Sequence, residues 1–125
     1  MATRILTVDD SPTIRQQLRI FLESQGYRVD EAASGEAGLQ AVKQTRFDLI
    51  IADVNMPGMS GLEMVLQLRQ VMGYGDTPIF MLTTQANREM KSQGKAAGAT
   101  AWIVKPFRPK VLLAGIQKAL GAHTP

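Results

Sequence analysis

The chain has 125 residues, room for one ordinary domain, and 45% hydrophobic with 20% charged residues suits a globular fold with a buried core. Cysteine is absent, which excludes disulfides, thiolate zinc sites and cysteine nucleophiles from this sequence. The formal charge of +3 is uneven: residues 1–76 hold seven Lys/Arg against ten Asp/Glu, whereas residues 77–125 hold seven basic residues against Glu89 alone. Only Trp102 and Phe107 fall among those basic residues, so a solvated positive face or an acidic protein partner is favoured over nucleic acid. No apolar run is long enough to span a bilayer, and MATRILTVDDS lacks the apolar core of a signal peptide. The expectation is a cytoplasmic, monomeric protein without a membrane or nucleic-acid partner.

Short β-prone runs alternate with helical patterns along the chain. Arg4–Val8 reads as a strand; Ser11 then offers an N-cap with Pro12 at the first helical position. Ile14, Leu18, Phe21 and Leu22 form one apolar stripe on that helix, which Gly26 stops. Arg28–Ala32 predicts a second strand and residues 35–44 a helix with an alanine-rich face. The continuous apolar run Asp48–Ala52 predicts a strand covered on both faces. A loop broken by Pro57 and Gly58 follows, and Ser60-Gly-Leu-Glu63 reads as a capping box. The helix behind it carries Leu62, Val65, Leu66 and Arg69 and is closed by Gly73 and Gly75.

Pro78–Leu82 predicts a fourth strand, and residues 86–97 a helix whose apolar face, Met90 and alanines, is thin. Gly98 ends it, Thr100–Val104 predicts the fifth strand, and Pro109 opens a last helix with Leu112, Ile116, Ala119 and Leu120 facing inward. Gly121 is expected just past that helix, with residues 122–125 a tail in which His123 is inert. The methionines read as gap-filling core residues. Strict βα alternation predicts an α/β fold, a parallel sheet between two helix layers.

In such a sheet ligands bind at the carboxyl ends of the strands. The first strand ends on Asp9 and Asp10, the third on Asp53, the fourth on Thr83 and Thr84, the fifth on Lys105. Three carboxylates together repel unless a cation or proton intervenes, and an oxygen-rich cluster suits magnesium. A carboxylate left partly free there can attack a phosphoryl donor and form an acyl phosphate. Asp53 is best placed, on the central strand and ahead of a turn expected to leave it exposed. Thr83 can donate a hydrogen bond to the new phosphoryl group. Each residue also has a plainer reading: turn and cap chemistry for Asp9-Asp10, a solvated turn for Asp53, a helix N-cap for Thr83 or Thr84, a strand exit for Lys105. Their conjunction favours the chemical reading. Trp102 reads equally as a packing anchor or a moving part.

Asp9-Asp10, Asp53 within D-x-N-M-P-G-x-x-G, Thr83-Thr84 and Lys105-Pro106-Phe107 resemble the receiver domain of bacterial two-component response regulators over the whole chain. With AWIVKPF and no output domain, the sequence is similar to the stand-alone chemotaxis type. The resemblance implies a flavodoxin-like (βα)5 fold with strand order 2-1-3-4-5, an order established for flavodoxin and for chemotaxis receivers. It implies a receiver over 1–121, phosphorylated on Asp53 by a sensor histidine kinase and catalysing only its own phosphorylation and dephosphorylation. Mg²⁺ is implied on Asp10, Asp53 and the Asn55 carbonyl, with Asp9 helping through water. Thr83, Thr84 and Lys105 would meet the phosphoryl group, Trp102 would move inward, and a cis Lys105–Pro106 bond is one form such a turn takes.

Asn55 and Gln85 would modulate dephosphorylation, although Asn55 also reads as a turn former. The implied output face is the fourth helix, fifth strand and fifth helix, where the basic residues lie; the flagellar motor switch is one candidate target. The sequence departs from the family at Thr84, usually a smaller residue; at Gln85, often an acid; and at Trp102, usually Tyr or Phe. A phosphorelay intermediate or phosphate sink would use the same chemistry. An aspartate-nucleophile phosphatase needs a second aspartate where Asn55 stands, and an FMN carrier needs a phosphate loop that DDSPTIR does not offer.

Overall fold

All five predicted βα units form. Strands β1 (Arg4–Val8), β2 (Arg28–Ala32), β3 (Leu49–Asp53), β4 (Ile79–Thr83) and β5 (Ala101–Val104) alternate with helices α1 (Pro12–Ser24), α2 (Gly35–Gln44), α3 (Gly61–Gln70), α4 (Arg88–Ala97) and α5 (Pro109–Gly121). They are seen in a computed structural model that describes residues 3–70, 73–84 and 87–121. Gln85, His123 and the expected tail lie outside the described residues. Among the described residues, no helix is long and apolar enough to cross a membrane.

Local devices set the helix boundaries. The side chains of Ser11, Ser34 and Asn87 accept from the N–H groups of Ile14, Ala37 and Met90, capping α1, α2 and α4. Ser60 Oγ accepts from Glu63 N–H at 3.2 Å, one half of the expected capping box. Gly98, with φ of 108°, ends α4 in the left-handed conformation that glycine adopts without strain.

Several boundaries shift by a residue. Asp48 stands outside β3, its carboxylate accepting from Arg4 N–H at 2.9 Å, and Asp53 becomes the last residue of the strand. Pro78, which has no N–H to donate, stands before β4, and at its other end the strand runs on to Thr83, which pairs with Val104. Thr100 precedes β5, its hydroxyl accepting from Ile79 N–H at 3.0 Å. Gly121 is the last residue of α5, not the residue past it. On α3 the buried face is Gly61, Met64, Val65 and Leu68, and Leu66 points to solvent. Arg69 turns away to bridge loops: its guanidinium donates to the carbonyls of Gly98 at 2.8 Å, Thr77 at 2.6 Å and Tyr74.

The sheet is wholly parallel in the order β2-β1-β3-β4-β5. Its two faces carry separate cores, as alternation along buried strands requires. Leu6, Val8, Ile50, Ala52, Ile79 and Met81 pack with residues of α2 and α3, whereas Ile5, Leu49, Ile51, Phe80, Leu82 and Ile103 pack with residues of α1 and α5. Full burial of each large aliphatic side chain is worth about 1.5–3 kcal/mol, so both layers are strongly held. Strand order reverses between β1 and β3, which brings Asp9, Asp10 and Asp53 to one crevice.

Candidate functional site

The first wall of the crevice is the turn after β1. Asp9 is fully buried: its N–H donates to the Ala32 carbonyl at 3.1 Å, and its Oδ1 accepts from Ser11 N–H at 2.9 Å. Arg15, one turn into α1, donates to the Asp9 carbonyl at 2.6 Å, and its Nε donates to Glu31 at 3.1 Å. Arg19 also pairs with Glu31, whose carboxyl is held below its usual range by that hydrogen bond against the cost of burial. The turn is thus pinned from both α1 and β2. Asp10, next in sequence, is left facing solvent.

The second wall is the end of β3. Asp53 is 5% exposed, which corrects the expectation that the following turn leaves it open. The cause is packing: β3 is the central strand, and Lys105 folds over the carboxylate. Asp53 Oδ1 accepts from Asn55 N–H at 3.2 Å, and Gly61 N–H donates to the Val54 carbonyl at 3.0 Å. A β-carbon at Gly61 would sit 2.0 Å from the Asp53 carbonyl oxygen, so glycine alone lets α3 start this close. Asn55 is exposed at the rim and Met56 is buried beneath it.

Lys105 closes the site. Its Nζ lies 3.0 Å from Asp9 Oδ2 and 3.2 Å from Asp53 Oδ2, and its peptide bond to Pro106 is cis. Burial pushes the Asp53 carboxyl above its usual range, the Asp9 charge adds to that, and the Lys105 ammonium offsets only part. Burial pulls the Lys105 ammonium down, but its bonds to Asp9 and Asp53 outweigh this and raise it. Oxygens of Asp9, Asp10 and Asp53 lie within 4.8 Å of one another, and buried Asp9 Oδ2 has no aligned hydrogen-bond donor. A cluster of three carboxylates that shares one ammonium, with Asp10 still open to solvent, is a set of hard oxygens that fits a small divalent cation such as Mg²⁺.

On the far side of Asp53, Thr83 is buried at the end of β4 and Thr84 is exposed. Neither caps α4, because Asn87 does so at 2.8 Å, a correction to the cap reading of the threonine pair. Trp102 is half-buried on β5, on the same sheet face as Met81, with its six-membered ring laid against Gly94 of α4.

Residues 5–117 match the family model described as the response regulator receiver domain. The chain belongs to the response regulator receiver family. The receiver is 38% identical to the transcriptional regulatory protein ResD of Bacillus subtilis over 118 residues, 94% of this chain and 48% of that protein. It is 43% identical to YvrH of the same organism over 93% of this chain and 48% of that protein. The chain thus spans about half the length of these curated relatives. The solved chemotaxis protein CheY4 of Vibrio cholerae superposes with a TM-score of 0.92 at 48% identity, over 96% of this chain and 100% of that one.

Receiver domains of two-component systems are signalling proteins, not conventional enzymes; they interact with histidine kinases and output targets, and phosphorylation on an aspartate is general to them. They generally bind Mg²⁺ at an acidic pocket, and the three aspartates here form such a group. The receiver brings Asp9, Asp10, Asp53 and Lys105 together as the strand ends predict. Sequence reasoning missed Arg15 and Gly61, which place Asp9 and Asp53, and Gly94, which packs against Trp102. Gly61 was visible only as a letter in D-x-N-M-P-G-x-x-G, and nothing local in the sequence distinguishes Gly94 or Arg15.

Proposed function

We propose that Asp53 accepts a phosphoryl group from the phosphohistidine of a sensor kinase, and that the receiver then acts as a cytoplasmic messenger of the chemotaxis type. The observation that carries the reading is the Lys105 ammonium bridging Asp9 and Asp53 at 3.0 and 3.2 Å, inside a group of three aspartates whose oxygens lie within 4.8 Å of one another. In the reaction the phosphorus–nitrogen bond of the donor breaks and a bond from an Asp53 carboxylate oxygen to phosphorus forms. The histidine, protonated from solvent on its other ring nitrogen, leaves as the neutral imidazole, and Asp53 becomes an acyl phosphate. Asp10, Asp53 and the Asn55 carbonyl would hold Mg²⁺, with Asp9 assisting through water; the cation supplies charge neutralisation at the phosphoryl oxygens.

Lys105 then exchanges its contact with Asp53 for the phosphoryl oxygens, and Thr83 donates its hydroxyl to them. Both contacts exist only in the phosphorylated state and so shift the population toward it. Thr84 and Asn55, exposed at the rim, and Gln85 govern access of attacking water. The chemotaxis assignment draws on the similarity to CheY4, which runs along that whole chain. Residues 1–121 are the receiver in this reading and 122–125 a tail. The target, for which the flagellar motor switch is one candidate, docks on α4, β5 and α5. Exposed Arg88, Lys91, Lys95, Arg108, Lys110 and Lys118 lie there, so an acidic partner segment and salt-weakened binding follow.

Phosphotransfer tests the reading. Incubation with a radiolabelled, autophosphorylated histidine kinase and Mg²⁺ should move label from kinase to receiver within seconds to minutes. Label that stays on every kinase offered, with the receiver folded, contradicts it.

A further inference from the structure

Gly94 sits in the middle of α4, where glycine costs about 1 kcal/mol relative to alanine. Its backbone is not left-handed, so no turn requires it. A β-carbon there would lie 2.2 Å from Trp102 Cζ2 and 2.9 Å from Cε2. Met90, Gly94 and Ala97 follow one another along the inward face of α4, a stripe with little volume of its own. The indole supplies that volume from the sheet side. Trp102 is paired with Met81, two residues before Thr83 on the same face of β4, so the indole and Thr83 are diagonal neighbours across the strands.

We propose that Gly94 is the seat of the Trp102 indole and a positioning residue that ties α4 to the phosphoryl-responsive end of β4 and β5. The indole cannot leave without opening a void under α4, and α4 cannot carry a side chain at position 94 without expelling the indole. Packed contacts of this kind have discrete arrangements rather than a continuum. The coupling half of this inference rests on the phosphorylation reading above; the seat itself does not.

Four proteins separate the claims: wild type, Gly94→Ala, Trp102→Leu and the double variant. Gly94→Ala should lower Tm in the wild-type background and raise it in the Trp102→Leu background, where the helix preference for alanine is released. The same sign in both backgrounds overturns the seat. Trp102 is the one tryptophan of the chain, so acrylamide quenching of its fluorescence reads the indole alone. Quenching should steepen in Gly94→Ala, and the apparent affinity for beryllofluoride with Mg²⁺, measured by calorimetry, should fall about tenfold. Unchanged beryllofluoride affinity beside reversed melting shifts overturns the coupling. A wild type that binds no beryllofluoride contradicts the functional reading and the coupling with it, while the melting data still decide the seat.

Discussion

The first residue of α3 touches the last residue of β3: a β-carbon on Gly61 would stand 2.0 Å from the Asp53 carbonyl oxygen. Backbone cannot yield as a side-chain tip can, so Gly61→Ala must move α3 or the end of β3. A stability loss of about 2–4 kcal/mol is expected in urea unfolding, with slower phosphorylation from a small-molecule donor. A variant as stable as wild type would show that this approach is not needed.

Asp10 is exposed whereas Asp9 and Asp53 are buried, and the three have separable roles. Asp10→Asn should leave metal-free stability unchanged or raise it, because it removes one of three mutually repelling carboxylates. The same change should abolish stabilisation by Mg²⁺, which at a hundredfold excess over its Kd is worth about 2.7 kcal/mol to wild type. Melting curves with and without Mg²⁺ check both halves, and an undiminished Mg²⁺ shift in the variant would exclude Asp10 as a ligand.

Among the described residues, Lys105 is the one cation paired with both buried carboxylates. Lys105→Met keeps the aliphatic packing and removes the charge, and a loss of about 2–3 kcal/mol is expected, below the range for a fully buried pair because the side chain is 16% exposed. The raised ammonium makes its contribution below 10.5 and loses it as pH climbs through the folded value. Mg²⁺ should restore part of the loss in the variant. Failure of the cation to help would mean that the two carboxylates no longer face a common site.

The raised Asp53 carboxyl sets the sign of a pH dependence. Between its ordinary value of 3.8 and the higher folded value, the folded chain holds more protons than the unfolded one. Ionising Asp53 therefore costs stability as pH rises through that window, and the whole cost is present at neutral pH. Without Mg²⁺, Asp53→Asn should melt above wild type at about pH 7, the gap narrowing toward acid until it closes below the ordinary carboxyl range. A variant that melts lower at neutral pH would show that the attraction of Lys105 outweighs desolvation.

The elements were legible because their boundaries are written in short-range chemistry: serine caps at 11 and 34, Pro109 at the start of α5, and glycines at 26 and 98 with positive φ. The acidic pocket was legible because topology sends every strand end to one edge. What escaped depends on close approach between distant segments. Asp53 looked exposed because its lid, Lys105, comes from β5. The weak stripe of α4 made sense only once Trp102 filled it, and Leu66 seemed a core residue until Met64 and Leu68 took the inward face of α3. Arg69 reads in the sequence only as one residue along α3, yet its length lets it reach three loop carbonyls.

The central claim is that Asp53 carries the phosphoryl group. Intact-protein mass after incubation with acetyl phosphate and Mg²⁺, on wild type and Asp53→Asn, tests it most directly. The account predicts a single phosphoryl adduct that requires Mg²⁺ and is absent from the variant. An adduct that persists in Asp53→Asn, or none on folded, Mg²⁺-bound wild type, would contradict it.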